Sequence, residues 1–255
     1  MNFHTAIFLF IASAVAGALN SVAGGGSFIS FPALLFTGVP PISANATNTV
    51  ALWIASVASL GSYRKRLLVS RRVMIPLAAS SFIGGVAGAY LLLHTPAQTF
   101  LRLLPWLLLG ATLLFVFGRH LTGVIRVSIE VEPSTVALIG ATFFVLLVAV
   151  YGGYFGGGIG ILTLAMLAAL GMTDIHAMNA LKIALTGIIN GVAAIAFVVA
   201  GAVVWREAGI MIVGGTIGGF LGAHYAQKLP AIWVRALVIA VGIAMTVYFF
   251  WRGYH

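Results

Sequence analysis

Apolar runs long enough to cross a lipid bilayer recur along the whole chain, separated only by short polar breaks. The hydrocarbon core of a bilayer is about 30 Å thick and takes about 20 helical residues to span. Runs at about residues 5–22, 46–63, 73–93 and 99–118 reach or approach that length, and a shorter one lies at about 27–37. Only 7% of the 255 residues are charged. A soluble domain carries about 25%, so there is too little polar material here to cover a globule. With lipid as solvent, every backbone N–H and C=O must bond within the protein, which leaves helices or closed barrels. The runs lack the apolar–polar alternation of barrel strands. The expected fold is an all-α integral membrane protein, a polytopic helical bundle.

The first ten residues contain no Lys or Arg, and the run they open does not stop at a small-residue cleavage site, so it reads as a retained membrane segment. Cysteine is absent, which excludes disulfides, thiol catalysis and thiolate metal sites. The net charge of +9 comes from thirteen basic residues scattered at segment ends rather than gathered in one patch. That distribution fits membrane topology and speaks against nucleic acid. Arg64, Lys65, Arg66, Arg71 and Arg72 put one loop on the cytoplasmic side of a cytoplasmic (inner) membrane. Paired carboxylates, an HExxH zinc signature and a serine with a suitably placed base are missing, so no enzyme activity, metal or cofactor is expected.

The chain repeats itself. Gly84, Gly85, Gly88, Ala89 and Pro96 recur as Gly218, Gly219, Gly222, Ala223 and Pro230, an offset of 134, and Gly24, Gly25 and Gly26 recur as Gly156, Gly157 and Gly158, an offset of 132. Two repeated halves follow, 1–120 and 135–255, joined by a polar linker at 121–134 whose 124–131 stretch alternates as a short strand would. Each half is expected to hold four long transmembrane helices plus one short segment after a Gly-rich break, the second short segment at about 158–170. One helix from residue 5 to 37 would be ~50 Å long, too long for a perpendicular span, so the glycines break it. Basic residues divide nine inside to three outside whether the halves are parallel with four crossings or inverted with five, so charge does not choose between them.

Polar residues inside lipid are costly and tend to mark function. The acidic residues Glu130, Glu132, Asp174 and Glu207 all sit at segment ends or in loops, which argues against a carboxylate relay or an oxygen cage for a hard cation. Lys182 lies inside the apolar run 177–200. It either snorkels to the headgroups or faces an aqueous cavity. Spacing favours the cavity, because Asn179, Lys182, Thr186 and Asn190 share one helical face. The offset of 134 maps Asn45, Asn48 and Ser56 onto Asn179, Lys182 and Asn190. The alternative for such Ser, Thr and Asn side chains is bonding between neighbouring helices. The glycines at 84, 85, 88 and at 218, 219, 222 read as close-packing positions. Those at 24–26 and 156–158 open new helices, whose free N–H groups suit an anion. Five of the six histidines lie near segment ends, whereas His176 borders the polar face and could titrate near neutral pH.

Several stretches resemble the TauE/SafE family of sulfite and organosulfonate transporters, also called the toluene-sulfonate uptake permeases. They are Ser21 to Ser27, Phe31-Pro-Ala-Leu34, Gly38-Val-Pro-Pro41, Ala44-Asn-Ala-Thr-Asn48, Tyr151 to Gly158, Asn179-Ala-Leu-Lys182 and Ile189-Asn-Gly-Val192, in order along nearly the whole chain. The resemblance implies transport of small sulfur-containing anions or related carboxylates, commonly by export and coupled to protons. The expectation is a secondary transporter working by alternating access. An anion channel, with the same polar faces lining a pore, is the alternative. The expected substrate-binding set is Gly24, Gly25, Gly26, Ser27, Asn45, Thr47, Asn48, Gly156, Gly157, Gly158, Asn179, Lys182, Thr186 and Asn190, with His176 as the coupling candidate. Its partners would be a small anionic substrate and the lipid bilayer, and a homo-oligomer stays open.

Overall fold

A computed structural model describes residues 2–22, 25–59, 70–121, 135–169, 172, 175–225 and 231–254. Gly24, the cluster Arg64, Lys65 and Arg66, the linker beyond Leu121 with its alternating stretch, and Asp174 lie outside these residues. Every element among the described residues is an α-helix: α1 (Phe3–Val22), α2 (Ser27–Phe36), α3 (Pro41–Ser59), α4 (Arg71–His94), α5 (Ala97–Leu121), α6 (Thr135–Tyr154), α7 (Ile159–Ala169), α8 (Ile175–Val199), α9 (Trp205–Tyr225) and α10 (Ala231–Tyr254). The helices α2 and α7 have 10 and 11 residues, and the rest 19 to 25, or about 28–38 Å at 1.5 Å per residue. The segments Phe3–Ser21, Arg71–His94 and Ala180–Val199 are long and apolar enough to cross a membrane. Large apolar side chains stand exposed along α1, α4 and α6, among them Phe3, Ile11, Ile75, Phe82, Ile83, Val136, Ile139 and Phe143. Large apolar side chains exposed in this number belong against acyl chains.

Lipid tails are as apolar as leucine, so burial alone does not drive these helices together; close van der Waals approach does. The glycines supply it. Helix α9 packs on α1, and α4 packs on α6. A Cβ on Gly218 would run into the Ala14 carbonyl, and one on Gly84 would lie 2.8 Å from the Leu146 carbonyl oxygen. One turn further on, a Cβ on Gly222 would meet Ala18, and one on Gly88 would meet Val150. Side chains at these positions would have to push two backbones apart.

The helices α3 and α8 pack on each other at the centre, α3 also against α9 and α8 also against α4. Residues 44–52 of α3 are buried without interruption. Helix α5 packs on α10, while α2 and α7 lie against α10 and α5 respectively. Phe31 sits edge-on to both Phe100 and Phe155, with ring centroids 6.3 and 5.7 Å apart. These contacts fix the short α2 beside α5 and the end of α6.

Candidate functional site

Both chain breaks turn back on the helix that precedes them. At the first, Gly25 takes φ +87°, a conformation that glycine alone adopts without strain. The Gly26 N–H donates to Asn20 Oδ1 at 2.9 Å, and Gly26 packs so closely on the Ala16 carbonyl that a Cβ would not fit. The amides that follow bond locally, Phe28 N–H to the Gly25 carbonyl and Ile29 N–H to that of Gly26. At the second break Gly156 has φ +72°. The Tyr151 hydroxyl donates to the Gly157 carbonyl at 2.8 Å, pinning the loop to α6. The Gly157 and Gly158 N–H groups donate to none of the described residues. The breaks therefore differ at one amide, the Gly26 N–H being held by Asn20 while its counterpart, the Gly158 N–H, donates to none of the described residues.

The breaks and the central helices meet. A Cβ on Gly158 would lie 3.5 Å from Phe28 Cε2, at the start of α2. A Cβ on Gly156 would lie 3.7 Å from Asn190 Oδ1 of α8 and 3.9 Å from Thr49 Oγ1 of α3. One turn before Thr49, Asn45 Nδ2 donates to the Tyr154 carbonyl at 3.1 Å. Because a carbonyl only accepts, that bond fixes which way the amide points. Asn45 is 1% exposed, and its Oδ1 has no hydrogen-bond partner among the described residues. An acceptor left in that state costs about 1–3 kcal/mol.

The other expected residues divide by environment. Asn48 is buried, with Ser30 donating to its Oδ1 at 2.5 Å, which ties α3 to α2. Lys182 is half-buried and lays its Cδ 3.7 Å from where a Cβ on Gly160 would sit, at the start of α7. Asn48 and Lys182 thus take matching positions against the two short helices. Thr47 is fully buried but turns away from the break, accepting from the Val204 N–H at 3.0 Å before α9. Thr186 donates to the Lys182 carbonyl of its own helix at 2.7 Å. Ser56, matched by sequence to Asn190, is exposed and donates to the Leu52 carbonyl at 2.7 Å, so the buried polar face of α3 ends at Thr49, about two turns earlier than spacing suggested. Ser27 opens α2 and is half-buried. The backbones of His176 and Asn179 lie in α8, but their side chains are outside the described residues.

A family model described as "Sulfite exporter TauE/SafE" matches residues 9–249, which takes in both breaks and both central helices. The chain belongs to the TauE/SafE family. It is a membrane transporter of that family. A Sinorhizobium sp protein called "Probable membrane transporter protein ORF9" is 31% identical over 97% of this chain and 93% of its own length. A "Probable membrane transporter protein" of Haemophilus influenzae is also 31% identical, over 93% of this chain and 91% of its own. The Escherichia coli K12 "Probable membrane transporter protein YfcA" is 26% identical over 93% and 87%. No solved structure matches the chain.

In this TauE/SafE chain, the sequence pattern did not single out Asn20, Ser30 and Thr49, and it marked Tyr151 only as the start of a resembling stretch. Asn20 carried a usable signal, an amide six residues before the glycine it holds. Thr49 lies one turn from Asn45, inside the span of the α3 face already singled out, and the i, i+4 step from Asn45 reaches it.

Proposed function

We propose that this protein is a secondary transporter of small organic or sulfur-containing anions, such as sulfite, organosulfonates or related carboxylates, and that it exports them across the cytoplasmic membrane. The observation that carries the reading is the convergence at Gly156 of Thr49 from α3 and Asn190 from α8, in a break whose Gly157 and Gly158 N–H groups donate to none of the described residues. Neutral donors at a helix start suit an oxyanion. Lys182 adds a positive charge on the same helix as Asn190, two turns away.

Alternating access would come from rocking the two halves about the α3–α8 contact. Two copies of one unit are supported by exchange of packing partners: α1 with α9 answers to α6 with α4, and α3 with α9 to α8 with α4. The glycine contacts correspond residue by residue, Gly218 on Ala14 with Gly84 on Leu146, and Gly222 on Ala18 with Gly88 on Val150. Trp53 Nε1–H donates to the Gly187 carbonyl at 3.1 Å across the same 134 residues that separate the repeats. A bond between counterpart residues is what an axis relating the two copies would give.

The test is flux into proteoliposomes across sulfite, sulfonates and short carboxylates, with and without a pH gradient. A carrier gives saturable flux with counterflow for some of these anions. Flux that neither saturates nor shows counterflow would make the same faces a channel, and no flux of any of them would remove the anion reading.

A further inference from the structure

The amide of Asn45 is held at the second break by the Tyr154 carbonyl, two residues before Gly156, and shares its helix face with Thr49. Its orientation leaves an acceptor, Oδ1, and not a donor, without a partner among the described residues in a side chain 1% exposed. In the same break, the Gly157 and Gly158 N–H groups donate to none of the described residues. A ligand that answers both must accept at one end and donate at the other.

We infer that the substrate is an anion carrying its own hydrogen-bond donor, a hydroxyl, ammonium or acid proton, which donates to Asn45 Oδ1 while the charged group meets the Gly-break amides. The inference rests on the transporter reading above. It divides the anion class: a sulfonate or carboxylate with an adjacent hydroxyl fits, and the same anion without one leaves Oδ1 buried and unpaired. A hydroxyl can also accept, so a gain that came from donors in the pocket would survive without Asn45, whereas a gain from donation to Oδ1 is lost with that amide. The dependence of the preference on Asn45 is therefore diagnostic.

The experiment is calorimetric binding to the purified full chain in detergent, using matched pairs: ethanesulfonate against 2-hydroxyethanesulfonate, and acetate against glycolate. The hydroxylated member of each pair is expected to bind about tenfold tighter, the ratio that one satisfied hydrogen bond supplies. Asn45→Leu is expected to bring each pair to within about twofold, because that ratio has lost its source. Equal affinities in the unaltered protein, or tighter binding of the plain anion, would overturn the inference and leave the transporter reading standing. A preference that survives in Asn45→Leu would overturn it as well, and should that variant not fold, the comparison in the unaltered protein decides. Binding of no member of either pair would overturn this inference, and flux of sulfite in the proteoliposome assay would then leave the transporter reading standing.

Discussion

Lys182 is the single charge within the α8 apolar run, half-buried along the start of α7. Its ammonium offers a charge-assisted bond, which contributes about 1.5–3 kcal/mol. Lys182→Met is therefore expected to weaken anion binding by about ten- to a hundredfold while the protein still folds, as read by calorimetry alongside a thermal melt. Unchanged affinity would mean that the ammonium reaches the headgroups instead. Asn45, Asn48, Asn190 and Lys182 stand out in the sequence because amides and charges inside apolar runs are costly. Hydroxyls do not. Thr49 faces the break whereas Thr186 and Ser56 bond back to their own helices, and nothing in the residue type separates these fates.

At the scale of elements, helix boundaries follow the apolar runs closely, with α2 and α7 emerging as the short segments expected after the glycine triplets. Helix α3 starts earlier than its apolar run, at Pro41, because its first two turns carry the polar residues that approach α2, α6 and α9. Close packing of α1 on α9 rests on positions where no Cβ fits. Gly218→Ala should cost about 1–3 kcal/mol through overpacking. Gly110→Ala, where a Cβ meets nothing within 4 Å, should be neutral or mildly stabilising. Thermal unfolding in detergent compares the two, and equal melting temperatures would contradict the packing account. At the first break, Asn20→Ala removes the acceptor for the Gly26 N–H and is expected to cost about 1 kcal/mol in the same assay.

For the whole molecule, Trp53 joins α3 to α8 twice, by its bond to Gly187 and by its ring against Gly191, where a Cβ would lie 3.0 Å from the indole. Trp53→Phe keeps a ring and loses the bond. It should change the maximal transport rate severalfold while shifting the half-saturating concentration much less, because the indole holds the halves rather than the anion. The close-packing glycines of α4 and α9 were legible as matched positions, but the pairing of α1 with α9 and of α4 with α6 was not, since an offset along the sequence says nothing about which helix packs on which. The asymmetry of the breaks was also hidden, because it depends on one amide, Asn20, folding back on the chain. The most direct test of the central claim uses the absence of cysteine. Asn190→Cys in this background introduces a single thiol beside Gly156. A small hydrophilic thiol reagent should label it in membranes, and a transported anion should slow the labelling in proportion to site occupancy. A thiol that remains unreactive, or that reacts equally fast with and without the anion, would contradict a water-accessible anion site between the second break and the central helices.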